Sequence, residues 1–216
     1  MRKSLIFGCL VILFIGCTAE SDKQVDKVRT GTVDPEFARD AALYHEMAMN
    51  MALGFARDFR GELTSAMSEG DAVYALKTWA KMAPEMAAAH SVGGWVFRRV
   101  SDRSRNPDNR ASTTETVILL SFADAGTSPP FIQTWEGSDS LKVYRFFKPI
   151  HTAPLCLKCH GDLQTMAPGV MTALKDMYPQ DRATGYKSDE LIGMFVIEAS
   201  WPDGKEHAEQ LLSDSI

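Results

Sequence analysis

The five residues Cys156-Leu157-Lys158-Cys159-His160 constrain this 216-residue chain more than any other feature. Two thiols separated by two residues can reach the two vinyl groups on one edge of a porphyrin. The histidine directly after the second thiol is then carried under the ring and onto the iron. With four cysteines and five histidines in the chain, the pattern would arise by chance in roughly two sequences per thousand. It reads as the attachment site of one covalent haem c, with Cys156 and Cys159 bonded to the ring and His160 as an axial iron ligand. A zinc site would need a second ligand pair at suitable spacing, and no second Cys pair exists. A thioredoxin-like Cys-x-x-Cys opens a helix behind a strand. Here Pro154 precedes the motif and Gly161 follows it.

The remaining cysteines have another explanation. Residues 1–16 read as a signal peptide: Arg2 and Lys3 form a positive start, and residues 5–16 are an apolar run of twelve, short for a membrane span. The run ends at Cys17 and turns polar. Cys9 leaves with the leader, and Cys17 is the expected lipidation site of a bacterial lipoprotein, although Phe14 stands where that signal prefers Leu, Val or Ile. An uncleaved anchor or an ordinary secretory leader are the alternatives. Each version places the domain outside the cytoplasm, where c-type haem is attached, and the first expectation is the periplasmic face of a membrane. Residues 17–33 read as a polar, lipidated tether. With 23 basic against 28 acidic residues no basic stripe is available, and nucleic acid is excluded as a partner.

The main domain is expected over residues 34–205, followed by a tail over 206–216. Asp34-Pro35-Glu36 is a helix start, with cap, pre-set φ and dipole charge in order. Apolar residues then recur at three and four from Phe37 to Leu63, predicting one long helix to about Glu69. Asp71 caps a second helix through Ala83, which Pro84 breaks or kinks before a short piece to His90. After Gly93-Gly94 the pattern alternates. Residues 95–100, 131–135, 141–147 and 192–200 read as strands, the middle two joined by a turn at Gly137. Ser112-Thr113-Thr114-Glu115 is a capping box opening a helix over 113–124, and residues 170–178 predict a short helix. The haem motif falls on a loop. The class is therefore α+β: long N-terminal helices packed on a small antiparallel sheet with an inserted haem loop.

Several fragments carry a resemblance when taken in order. They are Gly61-Glu62-Leu63, Ala66-Met67, Ala83-Pro84, Arg98-Arg99-Val100-Ser101 and Arg105-Asn106-Pro107-Asp108-Asn109. Tyr144-Arg145, Lys148-Pro149-Ile150, the Cys156–Gly161 motif, Tyr178-Pro179, Ala183-Thr184-Gly185-Tyr186 and the strand from Gly193 continue the series. Together they resemble the PAS-like c-type haem family, whose members occur as stand-alone bacterial proteins, cyanobacterial ones included, and as sensing domains of kinases and chemoreceptors. The resemblance implies a PAS-like sheet wrapped by N-terminal helices, one haem, and redox or small-ligand sensing. It also implies a distal cysteine five residues before the proline of the Ala-Pro pair, Pro84, where this chain has Trp79. Indole has no lone pair for iron, which leaves the sixth ligand open.

Met82 follows Trp79 by three residues on the same helix face and could supply a thioether, or be core filler. His90, eleven residues after Trp79, could supply an imidazole if the helix continued, or be a helix-terminal histidine bonded to a carbonyl. His45 reads as part of an ordinary amphipathic helix, His151 precedes a Pro-containing turn, and His207 is expected to be exposed. Arg98, Arg99 and Arg105 lie near the Asn-Pro loop. Arg105 and Asn109 are the candidates for the haem carboxylates, and Trp79, Trp95 and Phe97 for its walls.

The expected function is a membrane-tethered redox or diatomic-ligand sensor that is not an enzyme. No transmitter domain follows in the sequence, so its signal must pass to a redox or signalling protein partner. A monohaem electron-transfer protein is the alternative; a peroxidase-like enzyme lacks a recognisable distal His/Arg pair. Anchoring is directly testable. Cys17→Ser should abolish fatty-acid labelling and release or misprocess the protein, since each acyl methylene contributes about 0.8 kcal/mol of membrane binding. An unlabelled parent with unchanged processing in the variant would make this an ordinary secreted domain.

Overall fold

The computed structural model describes residues 35–123, 129–137 and 142–213. The expected leader, the tether with Cys17, and the cap Asp34 lie outside the described residues. The first helices are α1 (Pro35–Glu69) and α2 (Ala72–Ala89), followed by strand β1 (Trp95–Val100) and a 3-10 turn (Pro107–Asn109). Then come α3 (Thr113–Ala123), β2 (Ile132–Gly137), β3 (Lys142–His151), the one-turn helix α4 (Leu157–His160), α5 (Pro168–Met177), β4 (Leu191–Trp201) and α6 (Asp203–Ser213). The class is α+β. The four strands form one antiparallel sheet in the order β1-β4-β3-β2.

Period-two alternation gives the sheet two apolar faces. Trp95, Phe97, Tyr144, Phe146, Phe195, Ile197 and Ala199 share one face and pack against Tyr44, Met47, Ala48, Met51 and Phe55 of α1. Val100, Phe147, Met194 and Val196 share the other and meet Leu119 and Phe122 of α3. Each large side chain buried this way contributes about 1.5–3 kcal/mol. Tyr44 is fully buried; its ring lies 5.0 Å from both Trp95 and Trp135, and its hydroxyl donates to the Ser200 carbonyl at 3.0 Å. The Ser112–Glu115 box closes at the start of α3: Ser112 N–H donates to Glu115 Oε2 at 2.7 Å, and Glu115 N–H to Ser112 Oγ at 3.3 Å.

Two expectations need correction. Pro84 does not break α2, which runs unbroken from Asp71, whose carboxylate accepts from the Val73 and Tyr74 N–H groups at 2.9 Å each. Pro84 lies on the exposed side, while Ala75, Trp79 and Ala83 on the opposite side pack against Phe59, Leu63 and Ala66 of α1. That packing outweighs one missing backbone hydrogen bond. Residues 206–213, expected as part of a tail, are helical. They belong to α6, anchored where the Trp95 indole N–H donates to the Gly204 carbonyl at 2.9 Å, with Ala208 fully buried. Gly137, expected as the turn, ends β2 instead, and residues 138–141 after it lie outside the described residues.

A buried ion pair fastens α6 to α1. Asp40, 1% exposed, meets Lys205 Nζ at 2.8 Å and accepts from the Trp201 indole at 2.8 Å. Burial opposes ionisation of Asp40, but the bonds from Lys205 and Trp201 prevail and hold its carboxyl below the ordinary value. A carboxyl depressed in the fold stabilises the protein above its unfolded-state value and loses that contribution as pH falls through the folded one. Urea midpoints should therefore drop below about pH 4 in the parent and drop less in Asp40→Asn. At pH 7 the variant should be less stable by about 2 kcal/mol, under the 3–5 kcal/mol of a fully buried broken pair because half-buried Lys205 can turn to water. Equal acid sensitivity in parent and variant would contradict this account.

Candidate haem site

At the end of β3 the register slips between Ile150 and His151, and a bulge of this kind re-aims the chain. The chain leaves the sheet and is held at Thr152, which is buried. Its N–H donates to the Glu190 carbonyl and its hydroxyl to that of Lys187, while Glu190 N–H donates to the hydroxyl at 3.1 Å. Cys156 then opens α4, and the His160 N–H closes the turn on the Cys156 carbonyl at 2.9 Å. The motif is thus a single helical turn and not a loop. Gly161 ends it where a Cβ would stand 2.5 Å from the Leu157 carbonyl oxygen, so only glycine fits.

Cys156 and Cys159 are both free and half-buried. Cys159 packs beside Leu76 of α2, Met166, and Val170 and Leu174 of α5. Burial pushes its thiol up, with Arg105 opposing. Among the described residues no three His, Cys, Asp or Glu side chains converge as a metal cluster, so the two thiols and His160 do not close around one ion.

His160 Nδ1 lies 2.7 Å from the Ala183 carbonyl oxygen. A carbonyl can only accept, so Nδ1 carries the proton and Nε2 keeps its lone pair. Burial first, and the nearby Arg105 charge second, push the imidazole down to about 3 against the opposing pull of the Ala183 carbonyl. It is a neutral ring with one nitrogen fixed by a carbonyl and the other available as a donor to metal, the usual arrangement of a ligating histidine. Tyr186 stands edge-on to it at 6.4 Å, and the Tyr186 N–H donates to the His160 carbonyl at 2.9 Å.

Arg105 ties this arrangement together. Its Nε donates to Asp181 at 3.0 Å, and one terminal nitrogen donates to the Cys159 carbonyl at 2.5 Å and the Ala183 carbonyl at 3.3 Å. The sequence reading offered this guanidinium to the haem carboxylates. The structure instead commits it to Asp181 and to the carbonyls that frame His160. Asn109, the other candidate, uses its backbone to bond Ser101 and Asn106.

Arg99 is the residue that reading passed over. It follows Trp95 and Phe97 at period two and therefore lies on the sheet face turned toward α1. Its guanidinium carbon stands 5.4 Å from the Phe55 ring centre and 5.2 Å from that of Phe59. Its Nε is sealed from solvent without a hydrogen-bond partner, and among the described residues no carboxylate pairs with it. Burial pushes the guanidinium down to about 10. Trp79 is beside it: its ring centre lies 4.4 Å from that of Phe59, and its indole N–H is likewise buried and unpartnered. Two orphaned donors are what a group bearing carboxylates would satisfy, so the residues present fit a haem. Met82 is half-buried in the same cluster as Trp79.

The remaining histidines are placed elsewhere. His90 ends α2 with Nδ1 at 2.9 Å from the Met86 carbonyl, between Phe55 and Phe97. It lies about 21 Å along the helix axis from Leu76, the α2 residue in the Cys159 cluster. Its Nδ1–carbonyl bond is the helix-terminal alternative to ligation. His45 faces Gln133 at 3.0 Å, and His151 is exposed. His207 was expected to be exposed. It is half-buried, with Nε2 sealed without a partner, because α6 lays it beneath Gly93. Of the proposed walls, Trp95 and Phe97 belong to the core against α1. A cavity of about 580 Å3 between α3 and the 186–191 segment meets the His160 surroundings only at Tyr186.

A family model described as Tll0287-like matches residues 24–200. Among solved structures, the chain matches the crystal structure of the cyanobacterial haem protein Tll0287, at 20% identity and a TM-score of 0.48, over 79% of this chain and 99% of that one. No curated protein matches.

The Arg105 tie predicts a local effect. Arg105→Met leaves Asp181 buried without its cation and the Cys159 carbonyl without a donor, a loss of about 3–5 kcal/mol for a buried pair. Amide hydrogens over 157–161 and 181–186 should exchange faster in the variant than those of β3 and β4. Uniform change across the chain would show Arg105 to be a general stabiliser only.

Proposed function

This chain belongs to the Tll0287-like family, and on that premise we propose that it is a c-type haem protein. In this reading Cys156 and Cys159 carry one covalent haem and His160 ligates the iron. The observation that carries it is the His160 ring, neutral, with Nδ1–H donated to the Ala183 carbonyl and Nε2 left for a metal. The likeness in name to a haem protein supports it. The PAS-like reading is supported by the antiparallel sheet, whose β3–β4 connection carries the Cys-x-x-Cys-His turn.

Bound haem supplies a one-electron iron couple and a sixth position for a small ligand. The protein's own groups do the rest. Arg105 and Asp181 hold the loop that orients the imidazole, and Trp79, which cannot ligate, occupies a buried place next to Met82. A site with a non-ligating indole favours a redox or diatomic-ligand sensor, exported and lipid-anchored, acting on a protein partner and not itself an enzyme. Met82 supports the second reading: a thioether on iron would raise the potential and suit electron transfer.

Both readings are tested on protein made in a host that matures c-type cytochromes. Denatured protein should retain its haem and give a c-type pyridine haemochrome, whereas Cys156→Ala/Cys159→Ala should carry no covalent haem. Covalent haem in that double variant would overturn the assignment. Ferrous parent should bind carbon monoxide readily if the site is open. If Met82 ligates, Met82→Ala should remove a near-infrared sulfur-to-iron band and speed carbon monoxide binding by about tenfold or more.

A further inference from the structure

Alternation along β1 places a cation where the core calls for an apolar side chain. Trp95 and Phe97 on that face are 1% and 2% exposed, and Arg99 is next in the series. Its guanidinium lies over Phe55 and Phe59. The aromatic faces offset part of the desolvation, but they leave the sealed Nε–H without an acceptor. The nearby carboxylates are committed elsewhere: Asp181 to Arg105, and Glu115 and Glu198 to Arg98 on the opposite face of β1. The Trp79 indole, its ring centre 4.4 Å from that of the same Phe59, also has a buried and unpartnered N–H. Arg99 as a whole is half-buried, but a donor sealed from water without an acceptor costs about 1–3 kcal/mol, which a counter-charge from outside the polypeptide would offset. Arg99 interacts electrostatically with both His160 and Tyr178, and Tyr178 packs in the Cys159 cluster. The Arg99 donor therefore lies near the attachment turn, with Trp79 beside the same Phe59 ring.

We propose that Arg99 and Trp79 together seat a carboxylate of the bound haem, Arg99 as counter-ion and Trp79 Nε1 as a hydrogen-bond donor. The proposal rests on the haem reading above. It fits the chemistry of the group, whose carboxylates project from the ring edge away from the thioether bonds. It also assigns different work to the two arginines: Arg105 positions His160, and Arg99 sets the charge felt by the iron. A cation near the ring disfavours ferric iron, so its removal should lower the reduction potential.

The test uses haem-loaded Arg99→Met, Arg99→Lys and Trp79→Phe, with haemochrome content measured first. A negative haemochrome in the parent would refute the functional reading, and this inference with it. Arg99→Met should lower the ferrous-to-ferric ratio at fixed poise about tenfold, as expected for one charge in a partly buried setting. It should also move the haem carboxylate band in redox-difference infrared spectra. Arg99→Lys should recover most of the ratio. Trp79→Phe, which keeps the ring and loses the N–H, should move the band with a smaller change in ratio. If Arg99→Met does not accumulate, the Lys and Phe variants decide by the same signatures. All effects should be equal at low and high acetate; dependence on acetate would mean that a free anion occupies the site, and would overturn the proposal. Full haem content with parental potential and band in every variant would also overturn it.

Discussion

The arrangement around His160 depends on one side chain from a distant part of the chain. Arg105 reaches Asp181, the Cys159 carbonyl and the Ala183 carbonyl at once. It thereby joins the loop after β1, the attachment turn and the segment before β4. The Ala183 carbonyl is also the acceptor that fixes the His160 tautomer. Removing the guanidinium would leave the imidazole in place by sequence but free to rotate. Ligand strength and ring orientation at a metal are set by such outer partners, and here they converge on a single cation.

Behind that knot stands the sheet. Its α1-facing layer, centred on Tyr44, Trp95 and Tyr144, holds β3 and β4 rigidly side by side. The attachment turn connects those two strands, so its ends are fixed by a ten-residue register. Rigid elements position a site better than loops do. Two arginines lie close to this frame in contrasting states. Arg105 is nearly buried and fully engaged, whereas Arg99 has aromatic faces around it and a donor with no acceptor. The second state is costly in the polypeptide alone and reasonable once a carboxylate is added.

Much of this was legible in the residues. Periods of two and 3.6 located all four strands and the two long N-terminal helices, and the Ser112–Glu115 box marked the start of α3. The Cys-x-x-Cys-His spacing predicted a haem attachment site on a loop; the structure sets these residues on one helical turn, with both thiols and His160 half-buried. What was missed has physical causes. Pro84 breaks a helix only when nothing else holds it, and the Trp79 face of α2 packs on α1, which local sequence cannot reveal. The stretch from Asp203 is mostly polar, so its helix was read as a tail; its anchor is the Trp95 indole, 109 residues away. Arg99 could have been found. Alternation already placed it inward after Trp95 and Phe97, but proximity to the Asn-Pro loop drew the reading to Arg105. His90 fitted the helical projection from Trp79, and the structure bonds its Nδ1 to the Met86 carbonyl.

The account reduces to one covalent haem held at Cys156 and Cys159 with His160 beneath it, on a fold built to keep that histidine neutral and oriented. The most direct measurement is the intact mass of the denatured protein, followed by mapping of the peptide spanning residues 156–160. The account predicts the polypeptide plus one haem, with the added mass on that peptide and no thiol there open to alkylation. A bare polypeptide whose Cys156 and Cys159 both alkylate, from a host that matures other c-type cytochromes normally, would contradict it.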